Sequence, residues 1–294
     1  MMNDEHPKDL PQLRWTPELA HKFWNRLAGT KFLERIAFSR FAAPYLVSLV
    51  RPYFPDDANV LDFGSGYNLY LVRELLRHGY KTAFYEPSVP AEEQLHDLHD
   101  NPSFLGPMNE IGADKFDVAF LSEVIEHLSD DEATNVLRML NLGLRSNGIL
   151  VLTTPCSENL FEASRLCPVC EHLFHPWGHV QSFSPEAIEG LLQRNGFHCE
   201  TLWNVDFSSA RQSVEELSAL KTRIASILQE AREQQVAEQS KDIADHRSSF
   251  TSRFIAAFEE LNEFRDSRDP ARCQIGLGGN IVTVARKGSQ TPRG

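Results

Sequence analysis

Val60-Leu61-Asp62-Phe63-Gly64-Ser65-Gly66-Tyr67-Asn68 decides how this chain is read. The first four residues have the apolar run of a buried strand. Gly64 and Gly66 then let the backbone take positive φ and leave no Cβ between main chain and ligand, and a helix is expected to start near Leu69. A strand, a glycine turn and a helix amino terminus together form a cradle for a nucleotide. The next apolar stretch, Lys81 to Tyr85, ends in Glu86, close to the offset of roughly 20 residues at which an acid after strand two accepts hydrogen bonds from ribose hydroxyls. This points to an adenosine ligand. A dinucleotide fingerprint would place its third glycine where Leu69 stands, so tight packing against a pyrophosphate is not encoded.

Two further strands are expected, at Phe116-Asp117-Val118-Ala119-Phe120-Leu121 and at Asn147-Gly148-Ile149-Leu150-Val151-Leu152-Thr153. With Asp62 before the turn and Glu86 after the second strand, residues 55 to 200 resemble the class I S-adenosylmethionine-dependent methyltransferases. The resemblance implies an α/β fold, a doubly wound, mostly parallel seven-stranded sheet. It also implies that Asp62, Gly64, Ser65, Gly66, Glu86 and Glu123 hold S-adenosylmethionine. Asn68 stands where many members have a third glycine; Asn tolerates left-handed φ, so the loop is expected to survive there.

The 294 residues suffice for one large core or a core plus an appendage, and 41% hydrophobic content is that of a globular protein. No run of 18 apolar residues occurs and the first ten residues are polar, so a cytoplasmic location with no membrane contact is expected. Five cysteines without a secretory signal suggest reduced thiols or metal ligands over a disulfide framework. A formal charge of −12 weighs against a broad phosphate-binding face, and hence against a nucleic-acid partner.

Apolar spacing predicts amphipathic helices over residues 17–29 and about 31–51. Residues 1–54 are therefore read as a helical cap, which either covers the cofactor or packs on the sheet. Residues 55–207 and 270–286 form the cofactor-binding core. Residues 208–269 are read as a polar helical insertion, with apolar stripes at Val214, Leu217, Leu220 and Ile224 and at Phe250, Phe254 and Phe258; it would serve as a lid or as the arm of a homodimer.

Ser122-Glu123-Val124-Ile125-Glu126-His127 follows the fourth strand. A helix capped by Ser122 would put Glu123, Glu126 and His127 on one face beside the cofactor, as catalytic groups or as ligands of Mg²⁺ or Mn²⁺. The pattern resembles the Glu-x-x-Glu-His of metal-dependent O-methyltransferases in ubiquinone biosynthesis and small-RNA 2′-O-methylation. Farther on, Cys167-x₂-Cys170-x₄-His175-x₃-His179 supplies two thiolates and two imidazoles, a tetrahedral set suited to structural Zn²⁺. The two metal readings compete for His179, because in the small-RNA enzymes a histidine from this same loop completes the site begun by the helix.

The function expected is methyl transfer from S-adenosylmethionine to oxygen on a small molecule or sugar, with His127 taking the acceptor proton. Two alternatives stand beside it. One is metal-dependent methylation of the terminal ribose of RNA; the other is a non-catalytic adapter that binds cofactor without turnover.

Overall fold

A computed structural model of the chain describes residues 10–87, 92–207, 274–275 and 279–288, with a few isolated positions between 219 and 229. The two apolar stripes of the expected insertion therefore lie outside the described residues, as does the tail after residue 288. By contacts the chain divides into two units, Met1–Asp206 with Ile275–Gly294, and Phe207–Gln274. The sheet and the helices that pack on it belong to the first.

Three helices open this unit: α1 (Pro17–Leu27), α2 (Lys31–Ile36) and α3 (Phe38–Val50). The side chains of Thr16 and Thr30 cap α1 and α2 by accepting the N–H of Leu19 and Leu33. The single helix expected over about 31–51 is broken at Ala37, whose ψ of 119° is extended. Beyond the break α3 buries Ala42, Ala43, Leu46, Val47 and Val50.

Strands and helices then alternate: β1 (Asn59–Phe63), α4 (Tyr70–Arg77), β2 (Lys81–Tyr85), α5 (Glu92–His99), β3 (Phe104–Pro107), β4 (Phe116–Ser122), α6 (Asp130–Gly143) and β5 (Leu144–Pro155). The connection after β5 carries α7 (Leu160–Ala163) and a two-stranded ribbon, β6 (Arg165–Leu166) with β7 (Leu173–Phe174). After it come α8 (Pro185–Arg194), β8 (Phe197–Asp206), the two-residue edge strand β9 (Gln274–Ile275) and β10 (Asn280–Lys287).

The sheet order is β3-β2-β1-β4-β5-β10-β8-β9. β3, β2, β1, β4 and β5 are parallel, and β10 runs antiparallel to both β5 and β8. This is the expected seven-stranded, mostly parallel sheet, with β9 as a short addition at its edge. Alternating helices place apolar layers on both faces. Leu61, Ala119, Leu121, Leu150 and Leu152 pack with Leu137 and Leu140 of α6 and Leu192 of α8. Leu69, Val72 and Leu76 pack with Phe84 and with Leu95 and Leu98 of α5. Parallel strands covered on both faces read as continuous apolar runs, which is why β1 and β4 were legible as strands.

The sequence reading fails at the helix expected from Ser122. β4 runs through Ser122, and the N–H of Glu123 bonds the carbonyl of Thr153, so the pairing with β5 continues. The Ser122 hydroxyl pairs with that of Thr153 and caps nothing. Glu123 sits at φ +54° and Ile125–His127 make one 3₁₀ turn. The helix begins only after Ser129, where a capping box takes over: Glu132 donates its N–H to the Ser129 hydroxyl and accepts the Ser129 N–H. Ser129→Ala should cost about 1 kcal/mol. The expected readout is a lower urea midpoint with an unchanged slope, and an unmoved midpoint would show that the box does not set the start of α6.

Candidate functional site

The carboxyl ends of β1, β2 and β4 open into a cavity of about 1600 Å³. A drug-sized ligand fills roughly 300–1,000 Å³, so there is room for two ligands side by side. Gly64, Ser65, Gly66 and Glu86 line one part, Glu126, His127, His175 and His179 another. Trp15, Trp24, Leu33 and Ile36, from the segment before α1 and from α1 and α2, complete the wall.

The turn after β1 is held to β2: the N–H groups of Gly64 and Ser65 reach the carbonyl of Tyr85. Gly64 and Gly66 lie at φ +75° and +69°. Their roles differ. A Cβ on Gly64 would come within 2.5 Å of Val124 Cγ2, so this glycine serves packing, whereas one on Gly66 would meet nothing within 4 Å. Gly66 donates its N–H to Glu86 Oε2 at 2.8 Å, which ties the two expected cofactor groups together. The left-handed residue beyond the glycines is the buried Leu69, at φ 54°, and not Asn68. A leucine in that conformation costs roughly 1–2 kcal/mol, strain stored beside a binding turn.

Asp62 is buried, and its Oδ2 has no hydrogen-bond partner among the described residues; the same holds for the Ser65 hydroxyl. Burial first, and the charge of Glu86 second, push the Asp62 carboxyl up to about 8. Orphaned polar atoms at a glycine turn with a carboxylate alongside suit the amino-acid and ribose parts of S-adenosylmethionine. Asn109 and Glu110, in the loop before β4, are exposed and do not line this cavity.

The acidic residues of the Glu-x-x-Glu-His stretch separate. Glu123 accepts from the Thr153 hydroxyl and, with both oxygens, from the Asn280 amide. Burial pushes it up to about 7 against those bonds. It is thereby satisfied by the sheet edge and leaves the expected triad. Glu126 is buried; its Oε2 accepts from the Thr154 hydroxyl while Oε1 has no partner among the described residues. Burial and the charge of Glu123 push its carboxyl well up.

His127 is driven down to about 3, by burial first and then by His179, and its Nδ1 is likewise buried and unpartnered among the described residues. It stays neutral at pH 7 and is a weak proton acceptor, which argues against the role of general base. His179, from the connection after β5, supplies the third group: one ligand atom each from Glu126, His127 and His179 lie within 4.8 Å of one another.

The Cys₂His₂ set is not assembled. Among the described residues no cysteine belongs to a group of three potential metal ligands within 4.8 Å. Cys167 and Cys170 sit at the tip of the β6–β7 ribbon, where the N–H groups of Cys170 and Val169 hold the Cys167 thiol below its usual range. His175 and His179 turn into the cavity instead, toward Glu158. That residue was absent from the sequence reading, because 17 and 21 positions separate it from the two histidines in no recognisable spacing.

Comparisons with known proteins agree with this layout. A family model described as a methyltransferase domain matches residues 33–202, more than half of the chain. No curated protein sequence matches. Among solved structures, the 1,6-didemethyltoxoflavin-N1-methyltransferase of Burkholderia thailandensis, with its acceptor and S-adenosylhomocysteine bound, is 14% identical. The match covers 94% of this chain and 92% of that one, with a TM-score of 0.55. The [4+2]-cyclase SpnF is also 14% identical, over 95% of this chain and 98% of its own, with a TM-score of 0.52. At such identity these matches establish the fold alone.

The raised Asp62 fixes a pH dependence. Unfolded, the acid ionises near its ordinary 3.8; folded, near 8. Between those values the folded state keeps a proton that the unfolded state has lost, so this group makes stability fall as pH rises from about 4 to 8. In thermal melts of the ligand-free protein, Asp62→Asn should flatten that decline. An identical pH slope in both proteins would contradict the assignment.

Proposed function

The chain belongs to the methyltransferase-domain family and is an S-adenosylmethionine-dependent methyltransferase, and from that premise we propose that it methylates a hydroxyl oxygen on a small molecule or sugar with the help of a divalent cation. The observation that carries this reading is the cluster of Glu126, His127 and His179, in which Glu126 Oε1 is buried and without a hydrogen-bond partner among the described residues and His127 Nε2 lies 4.0 Å from it. A buried carboxyl oxygen left without a partner is costly unless a ligand satisfies it. Oxygen and nitrogen donors without a thiolate suit Mg²⁺ or Mn²⁺.

Asp62, Gly64, Ser65 and Gly66 hold the amino-acid part of the cofactor, and Glu86 its ribose. The sulfonium is already activated, so the work of the protein is alignment and exclusion of water. Trp15, Trp24 and the α2 residues Leu33 and Ile36 wall the cavity and serve that exclusion. Glu126, His127 and His179 would hold the ion, which would bind the acceptor oxygen. A cation bound there lowers the pKa of an acceptor hydroxyl, and that relieves the need for a strong base. His127 passes from the expected base to a ligand, in keeping with its low basicity.

Terminal-ribose methylation of RNA would use the same three side chains. The walled cavity and the charge of −12 favour the smaller acceptor. The B. thailandensis protein methylates nitrogen, so oxygen is chosen here on the cluster and not on the fold.

Methyl transfer from S-adenosylmethionine should be measured against a panel of hydroxylated metabolites, with and without chelator. Activity is expected to fall on chelation and return with Mg²⁺ or Mn²⁺. Glu126→Gln should abolish the response to the ions, while Cys167→Ser should retain it. Turnover on an oxygen acceptor that chelator leaves untouched would refute the cation. Separately, Glu86→Ala should weaken cofactor binding by about 1.5–3 kcal/mol, the worth of charge-assisted hydrogen bonds, and Glu86→Gln by less; calorimetric titration reads both.

A further inference from the structure

Both histidines of the connection after β5 converge on one carboxylate. Glu158 Oε1 lies 3.1 Å from His175 Nε2, and Oε2 lies 2.5 Å from His179 Nδ1. The backbone decides where the protons are. The N–H groups of His179, at 3.1 Å, and Trp177, at 3.4 Å, both point at His175 Nδ1, which must therefore present a lone pair. The ring proton of a neutral His175 is then on Nε2, donated to Glu158.

An ionised Glu158 only accepts, so the His179 nitrogen facing it, Nδ1, is the protonated one. Nε2 of His179 is then left with the lone pair, and His179 is the residue this cluster shares with the group of Glu126 and His127. The same protons exclude a second ion at Glu158, His175 and His179, because neither nitrogen of His175 has a lone pair to spare.

The carboxylate is well anchored. Ser157 donates its N–H to the carbonyl of Phe183 and Cys156 donates to Gly279, while the Asn159 side chain caps α7 just beyond. The two loop rings stack with centroids 4.3 Å apart, and His179 meets His127 edge-on at 4.8 Å.

We propose that Glu158, steadied by His175, locks His179 in its Nδ1–H tautomer and so presents Nε2 as a preformed ligand to a divalent cation at Glu126, His127 and His179. Glu158 and His175 are positioning residues that do not touch the ion. The lock depends on the proposed cation for its purpose, and on hydrogen-bond geometry alone for its tautomer. Histidines that ligate metals commonly donate their other N–H to a carboxylate, which fixes the ring and raises its basicity.

The test uses the full-length, metal-free protein labelled with ¹⁵N-histidine, with His179 identified by the signal missing from His179→Gln. Long-range ¹H–¹⁵N correlation should show His179 as Nδ1–H in the wild type and mainly as Nε2–H in Glu158→Ala. Mn²⁺ titrated calorimetrically should bind Glu158→Ala about 10–100-fold more weakly, with affinity for S-adenosylmethionine unchanged. Glu158→Gln keeps an acceptor oxygen, so it should hold the tautomer and fall between the two in Mn²⁺ affinity; it also serves if the alanine variant fails to fold. A wild-type His179 in the Nε2–H form, or a tautomer indifferent to Glu158→Ala, overturns the proposal. A wild type that binds no Mn²⁺ yet shows the Glu158-dependent tautomer refutes the cation reading and with it the purpose assigned to the lock, a result distinct from failure of the lock itself.

Discussion

The pairing of β4 with β5 beyond the last residues of β4 decides where the side chains of the site point. Because the Glu123 N–H stays bonded to Thr153, the chain cannot turn into a helix at Ser122, and Glu123 takes a left-handed conformation. The hydroxyls of Thr153 and Thr154 then fix Glu123 and Glu126 one each. The Glu126 carbonyl in turn accepts the N–H groups of Val180 and Gln181, which brings the end of the long connection to the sheet edge. A few bonds at the end of two strands thus set His179 beside His127, where a helix starting at Ser122 would have separated β4 from β5.

Electrostatics at that edge is governed by burial. Glu123 and Glu126 are pushed up and His127 and His175 pushed down, each toward its neutral form. Glu158 goes the other way. Burial would raise it, yet the hydrogen bond from His179 and the two neighbouring rings bring it below its ordinary value. One carboxylate held below its ordinary value therefore lies near two that are pushed above theirs. The raised pair differ again: Asn280 and Thr153 saturate Glu123, whereas Glu126 keeps a bare oxygen.

The parts that were legible in the sequence are those whose signal is local. Gly64 and Gly66 need positive φ within a few residues of an apolar strand, and Glu86 closes the next strand at a fixed offset, so turn and acid could be read together. The site beyond them is assembled from distant segments. Ser122 has the identity of a cap, but pairing with Thr153 outweighs a local preference that the Ser129–Glu132 box satisfies better seven residues on. Cys167, Cys170, His175 and His179 have the spacing of a zinc knuckle, which says nothing of direction: the ribbon carries the thiols to its tip while the next turn sends the imidazoles inward. Glu158 had no signal at all, since an acid after a strand end is ordinary until a loop folds back on it.

The sheet does not choose the chemistry. An N-methyltransferase and a [4+2]-cyclase share this fold with the chain at 14% identity, which leaves the reaction to the segments that vary over a common frame. In this chain the candidate site is built from the turn Glu123–His127 and the connection from Cys156 to Phe183, whose ends are bridged where β5 gives way to it. The bridge limits how far the connection can move, and Glu158, one residue past the Ser157–Phe183 bond, inherits that restraint. A ligand set whose orientation is fixed before an ion arrives gives up less freedom on binding it. Under the proposed cation reading, the hydrogen bonds of Cys156 and Ser157 beside Glu158 are what would hold that ligand set in place over a general cofactor fold.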